Sequence, residues 1–168
     1  MANSIKDPIS VSIIGVSGYT GAELIRLISK HPHFELSQVV ANRNAGKKIQ
    51  DIFPHLRHLN IPDFINFEEM NFENVDLIFC ALPHATSQEI IVRIPEGKKI
   101  IDLSADFRLD QVEEYERWYG SKHIAHSLQE KAVYGLTEIY KEKIKKGSLI
   151  ACTGCNSAAS LYPVLPLL

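Results

Sequence analysis

Cysteine is scarce in this chain: Cys80, Cys152 and Cys155 are the only three in 168 residues. A set that is both odd and sparse is not a disulfide framework, so a hydrophobic core must carry the fold. Charge of either sign is also not in excess, since 18 Lys and Arg against 20 Asp and Glu leave a formal net charge of −2. That balance provides no global field for nucleic acid or an anionic membrane, although a few local cations can still hold a phosphate. No apolar run reaches the roughly 20 residues of a membrane span. The segment Met1 to Pro8 is polar and lacks an apolar stretch of the signal-peptide kind, which makes the cytoplasm the expected compartment. Internal repeats and low-complexity tracts are absent as well.

What is present is an ordinary globular composition, 45% hydrophobic and 23% charged, enough to bury a core. Three short apolar runs, Ile9 to Gly15, Val75 to Leu82 and Lys99 to Leu103, read as strands buried on both faces, and Leu36 to Ala41 as a fourth. Between them, Leu24, Ile25, Leu27 and Ile28 form an apolar stripe in a helix from Thr20 to about Lys30, stopped by Pro32. Ser87 to Ile94 is a second helix, ended by Pro95, and Val112 to Tyr119 a charged, exposed third. Residues 50–71 carry Pro54, Asn60, Pro62 and Asn66 and read as a surface excursion or one short helix–strand unit. Alternating strand and helix predicts an α/β fold: a Rossmann-type, doubly wound, mostly parallel sheet. The apolar ending Val164-Leu165-Pro166-Leu167-Leu168 has no polar residue after it. It reads as a break inside a larger protein rather than a tail folded onto its own core.

The first strand runs into Gly15-Val16-Ser17-Gly18-Tyr19-Thr20-Gly21, and a helix follows at once. Strand, glycine turn and helix in that order make a dinucleotide site. Gly15 permits the turn, Gly18 lets backbone approach a pyrophosphate, and Gly21 lets the helix lie close. The first-turn amides at Ser17, Tyr19 and Thr20 then face the anion. After the second strand an NAD site normally has an acidic residue for the ribose hydroxyls. Here the segment Ala41-Asn42-Arg43-Asn44-Ala45-Gly46-Lys47-Lys48 contains no carboxylate. Asn42, Arg43 and Lys47 suit a 2′-phosphate instead, so the expected cofactor is NADP(H).

Cys155 lies between a strand-like stretch and the small residues Ser157, Ala158 and Ala159, at a loop-to-helix junction. Amide dipoles there favour the nucleophilic thiolate. Pro163 and Pro166 limit the helix to about two turns. Cys152 and Cys155 also form a C-x-x-C pair, so a redox pair or a metal site is the alternative; without a second C-x-x-C or C-x-x-H no metal is expected. Cys80, inside an apolar run, reads as a core residue.

Several blocks in one order make the chain resemble the N-acetyl-gamma-glutamyl-phosphate reductase family, related to aspartate-semialdehyde dehydrogenases, over essentially its whole length. They are residues 15–27 (GVSGYTGAELIRL), 81–87 (ALPHATS), 101–109 (IDLSADFRL), 118–120 (WYG) and 133–138 (VYGLTE). The resemblance implies residues 1–150 as an NADP-binding domain and 151–168 as the catalytic-cysteine segment, the start of an α+β catalytic domain. It implies Cys155 as nucleophile, although in the family's N-P-G-C-Y-P-T block only Gly154 and Cys155 match. Thr153 and Asn156 stand where the family has proline and an aromatic, Thr137 replaces a proline, and Ala85 replaces a glycine after His84.

It further implies Arg108 and Ser104 on the substrate side, where the alternative for Arg108 is an ion pair with Asp106 or Asp110. Pro83 and His84 would line the cofactor cleft. The implied reaction is NADPH-dependent reduction of N-acetylglutamyl 5-phosphate to the 5-semialdehyde through a thioester, in arginine biosynthesis. The substrate is then a small acyl phosphate, and the full-length enzyme a homo-oligomer. The general base would come from outside this chain, since none of the seven histidines matches the family's general-base motif. Alternatives are a dinucleotide-binding module without catalysis, or a related reductase acting on a carrier-linked acyl phosphate of lysine-type biosynthesis.

Overall fold

The computed structural model of the protein describes residues 7–167. Residues 1–6 of the polar start and Leu168 of the apolar ending lie outside the described residues. Two compact units divide the chain, with the boundary between Ala81 and Leu82.

The first unit contains β1 (Ile9–Ile14), α1 (Tyr19–Ile28), β2 (Phe34–Val40), α2 (Ile49–Ile52), β3 (Phe64–Ile65) and β4 (Leu77–Cys80). Its strands are parallel and ordered β3-β2-β1-β4. Val11 through Ile14 are all buried, as expected of a strand covered on both faces. The ladder slips where Val11 opposes Leu36 and Ser12 opposes Gln38. The bulged residue, Ser37, donates its hydroxyl to the Val11 carbonyl at 3.1 Å, compensating locally for the interrupted pairing. The buried face of α1 is Gly21, Ala22, Ile25 and Ile28, while Leu27 is exposed. Four nearly contiguous apolar residues exceed one helical face, and the 100° step turns Leu27 outward. Burying Ile25 completely contributes about 1.5–3 kcal/mol. Residues 50–71 take the short helix–strand form: α2 and β3, with 3₁₀ turns at Pro54–Leu56 and Phe67–Glu69.

The second unit contains α3 (Ser87–Ile91), β5 (Lys99–Asp102), α4 (Val112–Tyr119), α5 (His126–Gln129), β6 (Val133–Gly135), α6 (Thr137–Lys146), β7 (Leu149–Cys152) and α7 (Cys155–Val164). Its strands are parallel in the order β5-β7-β6. Ile91, Ile100, Phe107, Tyr115, Leu136 and residues 149–151 are its buried residues of interest. Tyr115 is the only buried residue of α4. α7 has no buried residue and runs one residue past Pro163. The proline ring removes one helical hydrogen bond, yet the helix continues through it to Val164 and gives way to a 3₁₀ turn at Leu165–Leu167. No helix among the described residues is long and apolar enough to cross a membrane. The parallel, Rossmann-type α/β class read from the sequence is the one observed.

Candidate active site

The glycine turn is built by backbone. Gly15 has φ of 91°, a left-handed value suited to glycine. Its amide and that of Val16 both donate to the Val40 carbonyl, at 2.9 and 3.3 Å, which fixes the turn against the end of β2. Gly18 is the N-cap of α1 and has no side-chain cap. The first-turn amides of any helix lack partners within it, and here they start at an exposed stretch, Ser17 to Thr20. A Cβ on Gly18 would meet nothing within 4 Å, so packing within the chain does not demand glycine there. Gly21 differs: its Cβ would lie 2.4 Å from the Val16 Cα, an impossible contact.

The basic loop after β2 is tied to this turn. Asn44 donates to the Ser17 hydroxyl at 3.0 Å and accepts from the Lys47 ammonium at 3.1 Å. Asn42 is differently engaged, its side-chain oxygen accepting the Phe67 amide at 3.0 Å. Arg43 and Lys47 are exposed. An open helix start beside cations with no acidic residue in the loop fits a phosphorylated dinucleotide.

In the second unit, Pro83 and His84 are exposed, with the His84 ring 5.9 Å from that of Tyr119. Two fully buried carboxylates organise the loops that follow. Asp102 accepts from the Ser87 hydroxyl at 2.7 Å and from the Ser104 hydroxyl and amide at 2.6 and 3.1 Å. Burial pushes its carboxyl up, and the serine donors oppose that shift. Asp106 accepts from the amides of Ala85 and Gln88 at 2.7 and 3.0 Å and from the Tyr115 hydroxyl at 2.8 Å. Burial, then the bond to Asp106, raises the Tyr115 phenol. His123 is buried, and its Nε2–H donates to the Asp106 carbonyl at 2.8 Å while Nδ1 accepts the Ala125 amide at 3.3 Å. Burial lowers its pKa and favours this neutral form. Sequence reasoning missed Asp102, Asp106, Tyr115 and His123 as a network. The alternating Asp102, Ser104 and Asp106 directly after β5 are the signal that could have found it.

Ser104 belongs to this network: its hydroxyl donates to Asp102 and accepts the Asp106 amide at 3.1 Å. Arg108 is not anchored by the alternative ion pair with Asp106 or Asp110. Its Nε donates to the Cys152 carbonyl at 2.6 Å and its Nη2 to the Leu103 carbonyl at 2.9 Å. Asp106, already holding three donors, is served elsewhere. The remaining nitrogen, Nη1, sits where a Cβ on Gly154 would come within 3.2 Å.

Gly154 is the N-cap of α7, and Cys155 is its first residue. The Cys155 thiol is exposed, 3.9 Å from the Asn156 side-chain oxygen. Cys152 is half-buried, and burial followed by nearby Asp102 pushes its thiol up, against a lowering by Arg108. Cys80 is buried in β4. Thus Cys155 is the accessible sulfur, the first residue of α7, and the Arg108 guanidinium lies against the preceding Gly154. Such an arrangement can attack an electrophilic carbon that carries an anionic leaving group.

Residues 10–147 match the family described as "Semialdehyde dehydrogenase, NAD binding domain", and the chain belongs to that family. The domain is thus of a kind that binds a nicotinamide dinucleotide. The relatives it is similar to are N-acetyl-gamma-glutamyl-phosphate reductases. That of Rhodobacter capsulatus is 52% identical over 158 residues, 94% of this chain and 46% of that enzyme. The chain therefore spans about half the length of the curated relatives it matches. Aspartate semialdehyde dehydrogenase II from Vibrio cholerae, solved with ASA, superposes with a TM-score of 0.69 at 16% identity, covering 96% of this chain and 46% of that one. The enzyme from Candida albicans, solved with NADP, gives a TM-score of 0.65 at 21% identity, covering 96% and 47%. At these identities the likeness shows the fold alone.

Proposed function

We propose that this chain is the cofactor-binding and thiol-bearing part of an NADP-dependent N-acetyl-gamma-glutamyl-phosphate reductase. Residues 1–150 are its cofactor domain, and 151–168 begin its catalytic domain. The observation that carries this reading is the exposed Cys155 thiol at the first position of α7, with the Arg108 guanidinium against Gly154.

The Cys155 thiolate attacks the carbonyl carbon of the acyl phosphate. A carbon–sulfur bond forms, the carbon–oxygen bond to phosphate breaks, and phosphate leaves with the bonding pair. Arg108 presents a cation to that phosphate. Ser104 supports the Arg108 loop from within the buried network. When bound, the reduced nicotinamide supplies the hydride that takes the thioester to the aldehyde level. The exposed amides from Ser17 to Thr20 hold the pyrophosphate, with Gly15 and Gly21 shaping the turn. Asn42, Arg43 and Lys47 form the loop for the 2′-phosphate, and Pro83 and His84 line the cleft. The product is N-acetylglutamate 5-semialdehyde, formed in the cytoplasm during arginine biosynthesis. The longer enzyme is a homo-oligomer and draws its general base from outside these 168 residues.

Titration with NADPH, followed by fluorescence, combined with iodoacetamide labelling tests the reading. NADPH binds more tightly than NADH, and an acyl phosphate slows labelling of Cys155. Cofactor binding with an inert thiol would leave only a binding module. A panel of N-acetylglutamyl and carrier-linked acyl phosphates separates the arginine-type from the lysine-type substrate.

A further inference from the structure

We infer that Arg108 is a positioning residue for Cys155: it braces the turn that carries the thiol, besides presenting charge to an anion. The inference rests on the reading of Cys155 as the nucleophile. A guanidinium is planar and rigid, so two bonds made by one edge fix both its place and its plane. Nε and Nη2 of Arg108 make them to carbonyls on two different segments, Cys152 at the end of β7 and Leu103 in the loop after β5. Only Thr153 and Gly154 separate the braced Cys152 from Cys155. Fixing the carbonyl therefore fixes the origin of α7.

Two further observations make this brace consequential. α7 has no buried residue, so packing along its length does little to hold its start. The turn has a second anchor, the 2.6 Å hydrogen bond between the Thr153 hydroxyl and the Tyr134 hydroxyl of β6. Arg108 and Tyr134 thus grip consecutive residues of the segment leading to the thiol. Lysine cannot replace the first grip, because a single flexible ammonium cannot span two carbonyls in a set plane.

Alkylation of the 168-residue chain with neutral iodoacetamide and anionic iodoacetate, read site by site by tandem mass spectrometry, separates brace from charge. The ratio of the two rates at Cys155 reports the local cation; their common magnitude reports positioning. Arg108→Lys keeps the ratio and lowers both rates about fivefold. Wild-type rates for both reagents in a folded Arg108→Lys protein overturn the inference. If that variant melts, Gly154→Ala, whose Cβ would crowd the Arg108 Nη1 at 3.2 Å, is the arbiter: a drop of about twofold at Cys155 supports the brace and no drop overturns it. NADPH titration of the same variants keeps the outcomes apart, since a failure to bind cofactor sinks the reductase reading and leaves the thiol rates interpretable.

Discussion

The backbone amide of Ala85 donates to the buried carboxylate of Asp106 at 2.7 Å from a left-handed conformation, φ 64°. A residue with a Cβ is held there at a cost of about 1–2 kcal/mol relative to glycine. Asp106 meets that cost by joining Ala85 to the Gln88 amide and the Tyr115 hydroxyl. Ala85→Gly should therefore raise stability by about 1 kcal/mol despite the added unfolded-state entropy, as read from urea unfolding. A lower midpoint at unchanged slope would falsify the strain argument. Asp106→Ala should cost about 3 kcal/mol or more, because three donors lose their acceptor.

His123 makes stability depend on pH. Its folded pKa lies below the unfolded value of 6.5, chiefly through burial. His126 adds to the lowering, while Asp106 and Glu116 oppose it. Below 6.5 the unfolded chain takes up a proton that the folded chain refuses. This contribution is therefore complete above 6.5 and is lost as pH falls toward the folded pKa. Unfolding free energies measured between pH 7.5 and 5.5 should fall, and His123→Gln should flatten that slope whatever its absolute stability. Equal slopes in the two proteins would remove His123 from the account.

Gly18 and Gly21 separate two kinds of glycine in one motif. Gly21→Ala places a Cβ on the Val16 backbone at 2.4 Å, so helix and strand must part, at about 3 kcal/mol or more. Gly18→Ala has open space and should cost at most about 1 kcal/mol, as an N-cap change. Its larger effect should be on NADPH affinity, measured by fluorescence titration. Equal melting losses in both variants, with affinity retained at Gly18→Ala, would contradict this division.

Regular chemistry was legible in the sequence. Apolar runs announced β1, β2, β4 and β5, and the glycine turn placed the start of α1 within one residue. The elements that escaped lack periodicity. α6 has no buried residue and a non-helical step at Tyr140, so no apolar stripe marks it. β6 is three residues long and only half-buried, and α5 is a single turn. The cysteine could be read from its flanking residues, but the partners of Arg108 could not. They are backbone carbonyls, at Leu103 and Cys152, and a carbonyl belongs to every residue type. Sequence reading offered Arg108 a substrate phosphate or, alternatively, an ion pair with Asp106 or Asp110, because charge is what a sequence displays.

Gly154 provides the last test, because its backbone, φ −69° and ψ 148°, is open to any residue. Glycine is favoured there by the Arg108 Nη1, 3.2 Å from where a Cβ would stand. That contact is tight but ends on a side-chain tip, so Gly154→Ala should shift the guanidinium by a few tenths of an ångström rather than break the fold. We expect a loss of less than about 1 kcal/mol in urea unfolding, since only one contact is crowded. The effect should fall on the thiol instead. Iodoacetamide should label Cys155 about two- to fivefold more slowly, with Cys80 unchanged, because the shifted guanidinium weakens its 2.6 Å hold on the Cys152 carbonyl and so loosens the origin of α7. A variant that labels at the wild-type rate while keeping wild-type stability would show that Gly154 and Arg108 are neighbours without consequence for the sulfur.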